Sequence, residues 1–324
     1  MGMKKLLVAG AVAALGASAV GTAHADALAQ AMLNITNFQI KSGGTALDAS
    51  AFAFLSITNG TTLQAQLNGA QDVTPYQGIS IGADGFAKQM LCAPGGTCPD
   101  PFVNQPHPPG AQSSTAASYA HGAPITGLFD SGNNPVPLGD QSQTGAFSQV
   151  MLTGNGQSQS GLTLNAQTTF KLNQNAVIGF SFTADQILKA WAGVTFANAT
   201  ASDALSITLK QKDDATGLLT TIFSWTPDDA FGGMKGGTVT AASGCNINAT
   251  AAAGSPPGGL DNQSCTGDFE GVMNNTLLGG VTYVLGIGQQ SQTNVVSIPE
   301  PSSVMLTGLA LVGLGFAGLR RRRV

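Results

Sequence analysis

A chain of 324 residues has room for one large domain or two small ones. Charged residues make up only 9% of it, against about a quarter in ordinary soluble domains, so its solubility must rest on Asn, Gln, Ser and Thr. All four arginines lie at the C-terminus, leaving residues 26–298 with seven lysines against fifteen aspartates and one glutamate. That acidic balance argues against nucleic acid as a partner and suits a crowded, sugar-rich exterior better than a cytosol.

At the N-terminus, Lys4 and Lys5 precede the apolar stretch Leu6 to Leu15, and Ala23-His24-Ala25 places small residues at the two positions a signal peptidase reads. Residues 1–25 therefore read as a secretory signal peptide, helical in its apolar part and cut after Ala25. Export favours disulfides. Cys92 and Cys98 flank a Pro-Gly turn and Cys245 and Cys265 a second Gly/Pro-rich loop. Three pairings are open, and the two local ones are the expected choice. Zinc fits poorly, because neither pair has Cys-x-x-Cys spacing and His107 and His121 read as sitting in separate loops.

Leu33 to Ile40 alternates as a strand with a slip at Asn37, the pattern of a bulge. Phe52 to Ile57 and Thr61 to Leu67 follow, and Asn59-Gly60 between them predicts a hairpin. From about residue 84 to residue 159 the chain dissolves into Pro, Gly, Ser, Gln and Asn, which reads as a loop-rich insertion with at most a short helix around Ala111 to Ala120. Alternation returns with Leu162, Leu164 and Phe170, then with Val177 to Thr183. Asp185 to Val194 is ambiguous, since Ile187, Leu188 and Trp191 have helical spacing behind the capping residue Asp185; a helical turn crossing between sheets would fit. Leu205 to Leu209, Leu218 to Trp225, Val281 to Ile287 and Val295 to Ile298 read as strands. Short strands with turns and almost no helix predict an all-β fold for residues 26–298, an antiparallel β-sandwich, jelly-roll-like, with long loops.

Candidate chemistry is sparse. His107 and His121 have no acidic neighbour of the kind a catalytic triad requires. Asp213-Asp214 and Asp228-Asp229 are the visible carboxylate pairs, but adjacent strand residues point to opposite faces, whereas a retaining glycosidase holds its carboxyls about 5 Å apart across a cleft. Turn roles are the expectation for both, with a loop calcium at Asp228-Asp229 as the alternative. Trp191, Trp225 and Tyr283 offer flat faces of the kind that stack on sugars, set against a core role for Trp225 beside Phe223 and for Trp191 beside Ile187 and Leu188. No catalytic residue, cofactor or metal is expected.

The C-terminus combines Pro299-Glu300-Pro301, an uncharged run through Leu319, and Arg320, Arg321, Arg322 and Arg323. Eighteen uncharged residues from Ser302 would reach roughly 27 Å as a helix, enough to span a bilayer core. The arginines place the C-terminus in the cytoplasm and the body outside. Residues 303–319 are thus an expected transmembrane helix, and the prolines stop it from extending upstream.

Proline motif, short span and arginine cluster together resemble the PEP-CTERM sorting signal over residues 299–324. The resemblance implies an exosortase as partner, cleavage near Pro299-Glu300-Pro301, an inner-membrane stage before processing, and release or re-attachment at the cell surface. A second resemblance, over Phe170 to Ile287, is to an uncharacterised group of PEP-CTERM surface proteins with a β-rich body; it carries no activity. The expectation is a secreted, non-enzymatic surface or matrix protein associated with exopolysaccharide and biofilm. The alternatives are a carbohydrate-binding module and, third, a glycan hydrolase.

Overall fold

The computed structural model describes residues 27–67, 70–78, 86–93, 114–122, 140–150, 156–193, 197–228, 232–242, 244, 246–254 and 259–297. Its strands are β1 (Ala27–Ser42), β2 (Thr45–Ala46), β3 (Phe52–Leu67), β4 (Ala70–Gly78), β5 (Phe86–Ala93), β6 (Ser114–Gly122), β7 (Asp140–Val150) and β8 (Gly156–Leu172). They continue as β9 (Ile178–Ala192), β10 (Ala197–Lys212), β11 (Leu219–Asp228), β12 (Gly232–Lys235), β13 (Gly237–Ala241), β14 (Thr250–Ala253), β15 (Gly259–Met273) and β16 (Thr282–Ser297). Among the described residues a single 3-10 turn, at Ala49–Ala51, interrupts them.

Two eight-stranded sheets result. The first runs β13-β15-β9-β1-β7-β6-β5 with β2 beside β1, and the second runs β12-β11-β10-β16-β8-β3-β4 with β14 beside β10. Pairing is antiparallel throughout. Buried residues of both sheets share one apolar cluster, including Ile35, Phe38 and Phe180 from the first and Phe170, Ile207 and Leu285 from the second. The body is therefore all-β and sandwich-like, with twice the eight strands of a jelly roll.

Strict alternation builds this interior. In β10, Ala197, Ala199, Ala201, Leu205, Ile207 and Leu209 are all buried while their neighbours are not. At one end the core is aromatic: Phe182 stacks on Phe269 at 5.2 Å and packs 5.5 Å from Trp225, and Phe170 lies 5.7 Å from Tyr283. At the other end a second cluster consists mainly of alanines, among them Ala29, Ala31, Ala190 and Ala199.

Several sequence expectations change. Asn59-Gly60 makes no hairpin, because β3 runs straight through it; Gly60 pairs with Asn165 on one side and Gln77 on the other. Two ladders of bonds outweigh one local turn preference. The stretch 84–159 is not only loop, since it supplies β5, β6, β7 and the start of β8, and the proposed helix near Ala111 to Ala120 gives way to β6. Asp185 to Ala192 is strand and not helix, with Gln186, Leu188 and Ala190 inward and Trp191 outward. The two expected strands from Val281 and from Val295 are one, β16, which runs from Thr282 to Ser297.

The signal peptide and the expected transmembrane helix at 303–319 lie outside the described residues. Among the described residues no helix is long and apolar enough to cross a membrane.

Candidate functional site

Between the aromatic and alanine zones the two sheets meet through polar side chains. Gln289 of β16 donates its amide to the Leu33 carbonyl at 2.8 Å and to Thr144 Oγ1 at 3.0 Å, and accepts from Ser142 Oγ at 2.6 Å. Further along, the Ser148 and Thr293 hydroxyls meet at 2.8 Å and Ser160 joins them at 2.8 Å. Side chains this short bridge only where the sheets approach closely, so the alanine end and this seam explain each other.

Asp203 of β10 is the ionisable member. It is 3% exposed, its Oδ1 accepts the Ser291 hydroxyl, and its Oδ2 has no partner among the described residues. Burial pushes its pKa up to about 8, overriding the lowering by Ser291 and Gln186. At neutral pH this carboxyl is predominantly protonated. Gln186, reaching from the opposite sheet, donates to the Ile247 carbonyl at 2.6 Å.

Beside Gln186 a cleft of about 430 Å³ opens between residues 246–250 and β15, lined by Asn246, Asn248, Thr250, Gln263 and Cys265 among others. The amides of Gln186, Asn248 and Gln263 are committed to the backbone. Asn248 accepts from the Leu205 N–H at 2.9 Å and donates to the Pro227 carbonyl at 2.8 Å. Gln263 donates to the Thr250 carbonyl at 2.9 Å, and Asp261 accepts the Ala252 N–H at 2.9 Å. The Gln263 and Asp261 bonds clasp β14 of the second sheet to β15 of the first.

The residues singled out in the sequence scatter. Trp225, weighed as a sugar-stacking face, is 1% exposed inside the aromatic core and cannot contact a glycan in the folded protein. Trp191 stands half-buried on the outer face of β9, directly between Leu28 and Leu260. Tyr283 is buried, its hydroxyl accepting the Leu278 N–H at 2.8 Å. Asp213 shapes a turn, accepting the N–H groups of Ala215 and Thr216, which hold its pKa below the usual value. Asp214 is likewise lowered, first by the Thr282 hydroxyl and then by Lys171 at 3.0 Å. His121 lies in strand β6 and not in a loop, while His107 and Asp229 lie outside the described residues. Cys265 is buried and disulfide-bonded. The side chains of Cys92, Cys98 and Cys245 are outside the described ones, so neither local pairing is tested.

Asp203 escaped sequence reasoning. The legible signal was an aspartate in phase with Ala199, Ala201, Leu205 and Ile207, on the inward side of a strand.

The processing motif starts where the body ends. β16 is paired with β10 on one side and β8 on the other up to Ser297, and residues 297–323 match the PEP-CTERM protein-sorting motif. The chain carries a PEP-CTERM sorting signal. That signal makes it an exported exosortase substrate with a transient membrane-anchored stage, destined for the cell surface or the extracellular space. Pro299, Glu300, Pro301 and Arg320 to Arg323 fall within the matched residues. No curated protein and no solved structure matches the chain.

Proposed function

We propose that the mature body is a non-enzymatic surface or matrix protein, associated with exopolysaccharide and biofilm after exosortase cleavage near Pro299-Glu300-Pro301. The observation that carries this reading is the sorting motif beginning at residue 297, the last residue of β16. In this reading signal peptidase cuts after Ala25, the helix at 303–319 docks in the inner membrane with Arg320 to Arg323 on the cytoplasmic side, and the exosortase releases or re-attaches a complete domain. A body tied by an inter-sheet polar seam and by the β14–β15 clasp suits a structural component. The test is deletion of the exosortase. The expected result is a longer, membrane-retained precursor; unchanged size and location would overturn the reading.

A carbohydrate-binding module is the second reading, favoured by Trp191 on an outer sheet face between Leu28 and Leu260. Polysaccharide binding lost in Trp191→Ala, with folding retained, would support it. Glycan hydrolysis has weaker grounds, because Asp213 and Asp214 are engaged in turn and cross-strand hydrogen bonds.

A further inference from the structure

We infer that the outward face of the second sheet is a docking platform for a neutral polysaccharide chain lying along β16. The inference rests on the exterior location proposed above and goes beyond it by naming a surface and a ligand class.

Four long strands, β10, β16, β8 and β3, stand side by side in register. Thr200, Asn294, Gln159 and Gln66 form one outward row. Four more rows follow at two-residue steps, down to the row containing Thr208 and Gln167. No outward position in these five rows is charged, and Ala204 is their one apolar side chain. Two-residue steps make the rows about 27 Å long in total, room for several sugar units.

At the Thr208 end of the face lies a shallow trough. Gly286 and Gly288 sit at successive outward positions of β16, and a Cβ there would meet Thr208 Oγ1 at 3.0 Å and Ser206 Oγ at 2.9 Å. Side-chain hydroxyls on β10 therefore border a floor of bare backbone, with Asn165 and Gln167 of β8 along the other side. At Gly60, in the row of Gly288, the space is open. Asn165, Gln167, Gln290 and Gln292 make no side-chain hydrogen bond to another described residue. Each amide thus presents a free donor and a free acceptor, the combination a sugar hydroxyl answers in both directions.

Charge and polarity choose the occupant. An acidic polymer needs cations; the lysines of these long strands, Lys171, Lys210 and Lys212, lie beyond the last row, where Asp214 partly neutralises Lys171, and Lys235 of β12 stands two strands to the side of Thr208. A second copy of the chain, or another protein, needs an apolar centre to release water, and this face has none. The first sheet differs, since its outer face carries Trp191, Leu28 and Leu260 together with Asp185, Lys189 and Asp268. A neutral, hydroxyl-rich chain is the ligand whose chemistry matches.

The test uses the exported protein purified from its own cells, in whichever form they release it. Co-sedimentation is measured with cross-linked dextran, cellulose and mannan, with alginate beads as the acidic control, at low and high salt. The expected result is retention on at least one neutral matrix and not on alginate, insensitive to salt because no charges pair. The double variant Asn165→Ala/Gln290→Ala should lose retention at least tenfold at an unchanged thermal midpoint, while Trp191→Ala keeps it. No retention on any neutral matrix, equal retention by the double variant, or loss in Trp191→Ala alone would overturn the inference. So would a dimer in sedimentation velocity that the double variant abolishes. Exosortase dependence is not read by this experiment, so its failure is distinct from failure of the sorting hypothesis.

Discussion

Ser291 of β16 donates its hydroxyl to the carboxyl of Asp203 on the adjacent strand β10, inside the space between the sheets and out of reach of water. Asp203 Oδ2 has no partner among the described residues, so burial favours the neutral acid even though the hydrogen bond from Ser291 favours the carboxylate.

A pH dependence follows. In the unfolded chain Asp203 ionises near its ordinary value of 3.8, while in the folded protein it holds its proton to about 8. Between those values the folded state binds the extra proton, so stability falls as pH rises. Each unit of difference corresponds to about 1.4 kcal/mol, and relaxation of the folded state around the ionised group keeps the total to a few kcal/mol. Urea midpoints should therefore drop from pH 5 to pH 8 in the wild type. Asp203→Asn should flatten that slope; a slope equal to wild type would exclude Asp203 as its source.

The two tryptophans should separate cleanly. Trp225 is buried against Phe182, and Trp225→Ala should cost about 3–5 kcal/mol, the range for emptying a large aromatic site. Trp191 is half-buried on a sheet face, and Trp191→Ala should cost about 1 kcal/mol or less. Equilibrium unfolding of both variants checks the ranking, and equal losses would contradict the assigned burial.

What the sequence revealed follows the chemistry of the interior. Where the core is aromatic and aliphatic, alternation was plain: Ile178, Phe180 and Phe182 face inward as expected, Trp225 is core, and Asp213 is a turn residue. Where the interior is a polar seam or alanine-lined, the same period of two was present but carried no hydropathy contrast. Strand β7 turns Ser142, Thr144, Ala146 and Ser148 inward, and so the stretch containing it reads as loop. Strand β9 was obscured by inward Gln186 beside outward Ile187. The sorting signal was legible because its three parts are contiguous. Asp203 was legible only as an in-phase position of β10, and the amide face was not legible, because it exists only through pairing of strands distant in sequence.

The slip at Asn37 offers a backbone test. Asn37 has φ 56°, and the register of β1 shifts there against both neighbours, so it is a bulge residue in the left-handed region. Its amide also reaches Thr183 Oγ1 at 3.3 Å. Asn37→Gly should be close to neutral, whereas Asn37→Val forces a β-branched residue into that region and should cost about 1–2 kcal/mol. Thermal unfolding of the pair checks this, and the reverse order would place the bulge elsewhere.

Gln289 joins three members of the seam, since its amide reaches Leu33, Thr144 and Ser142 together. Gln289→Leu keeps much of the volume but removes the acceptor of the buried Ser142 hydroxyl, at a cost of about 1–3 kcal/mol for the unsatisfied group, while Thr144 keeps the Ser291 hydroxyl at 2.9 Å. The loss should be partly recovered when Ser142→Ala and Thr144→Val are added, because removing both sides of a buried polar pair restores a consistent apolar interior. The neighbouring outward Gln290→Leu serves as control and should change stability by no more than about 0.5 kcal/mol. A double-mutant cycle in urea gives the coupling directly. If the triple variant proved as unstable as the sum of its single changes, the seam would be a set of independent contacts and not a network holding the two sheets in register.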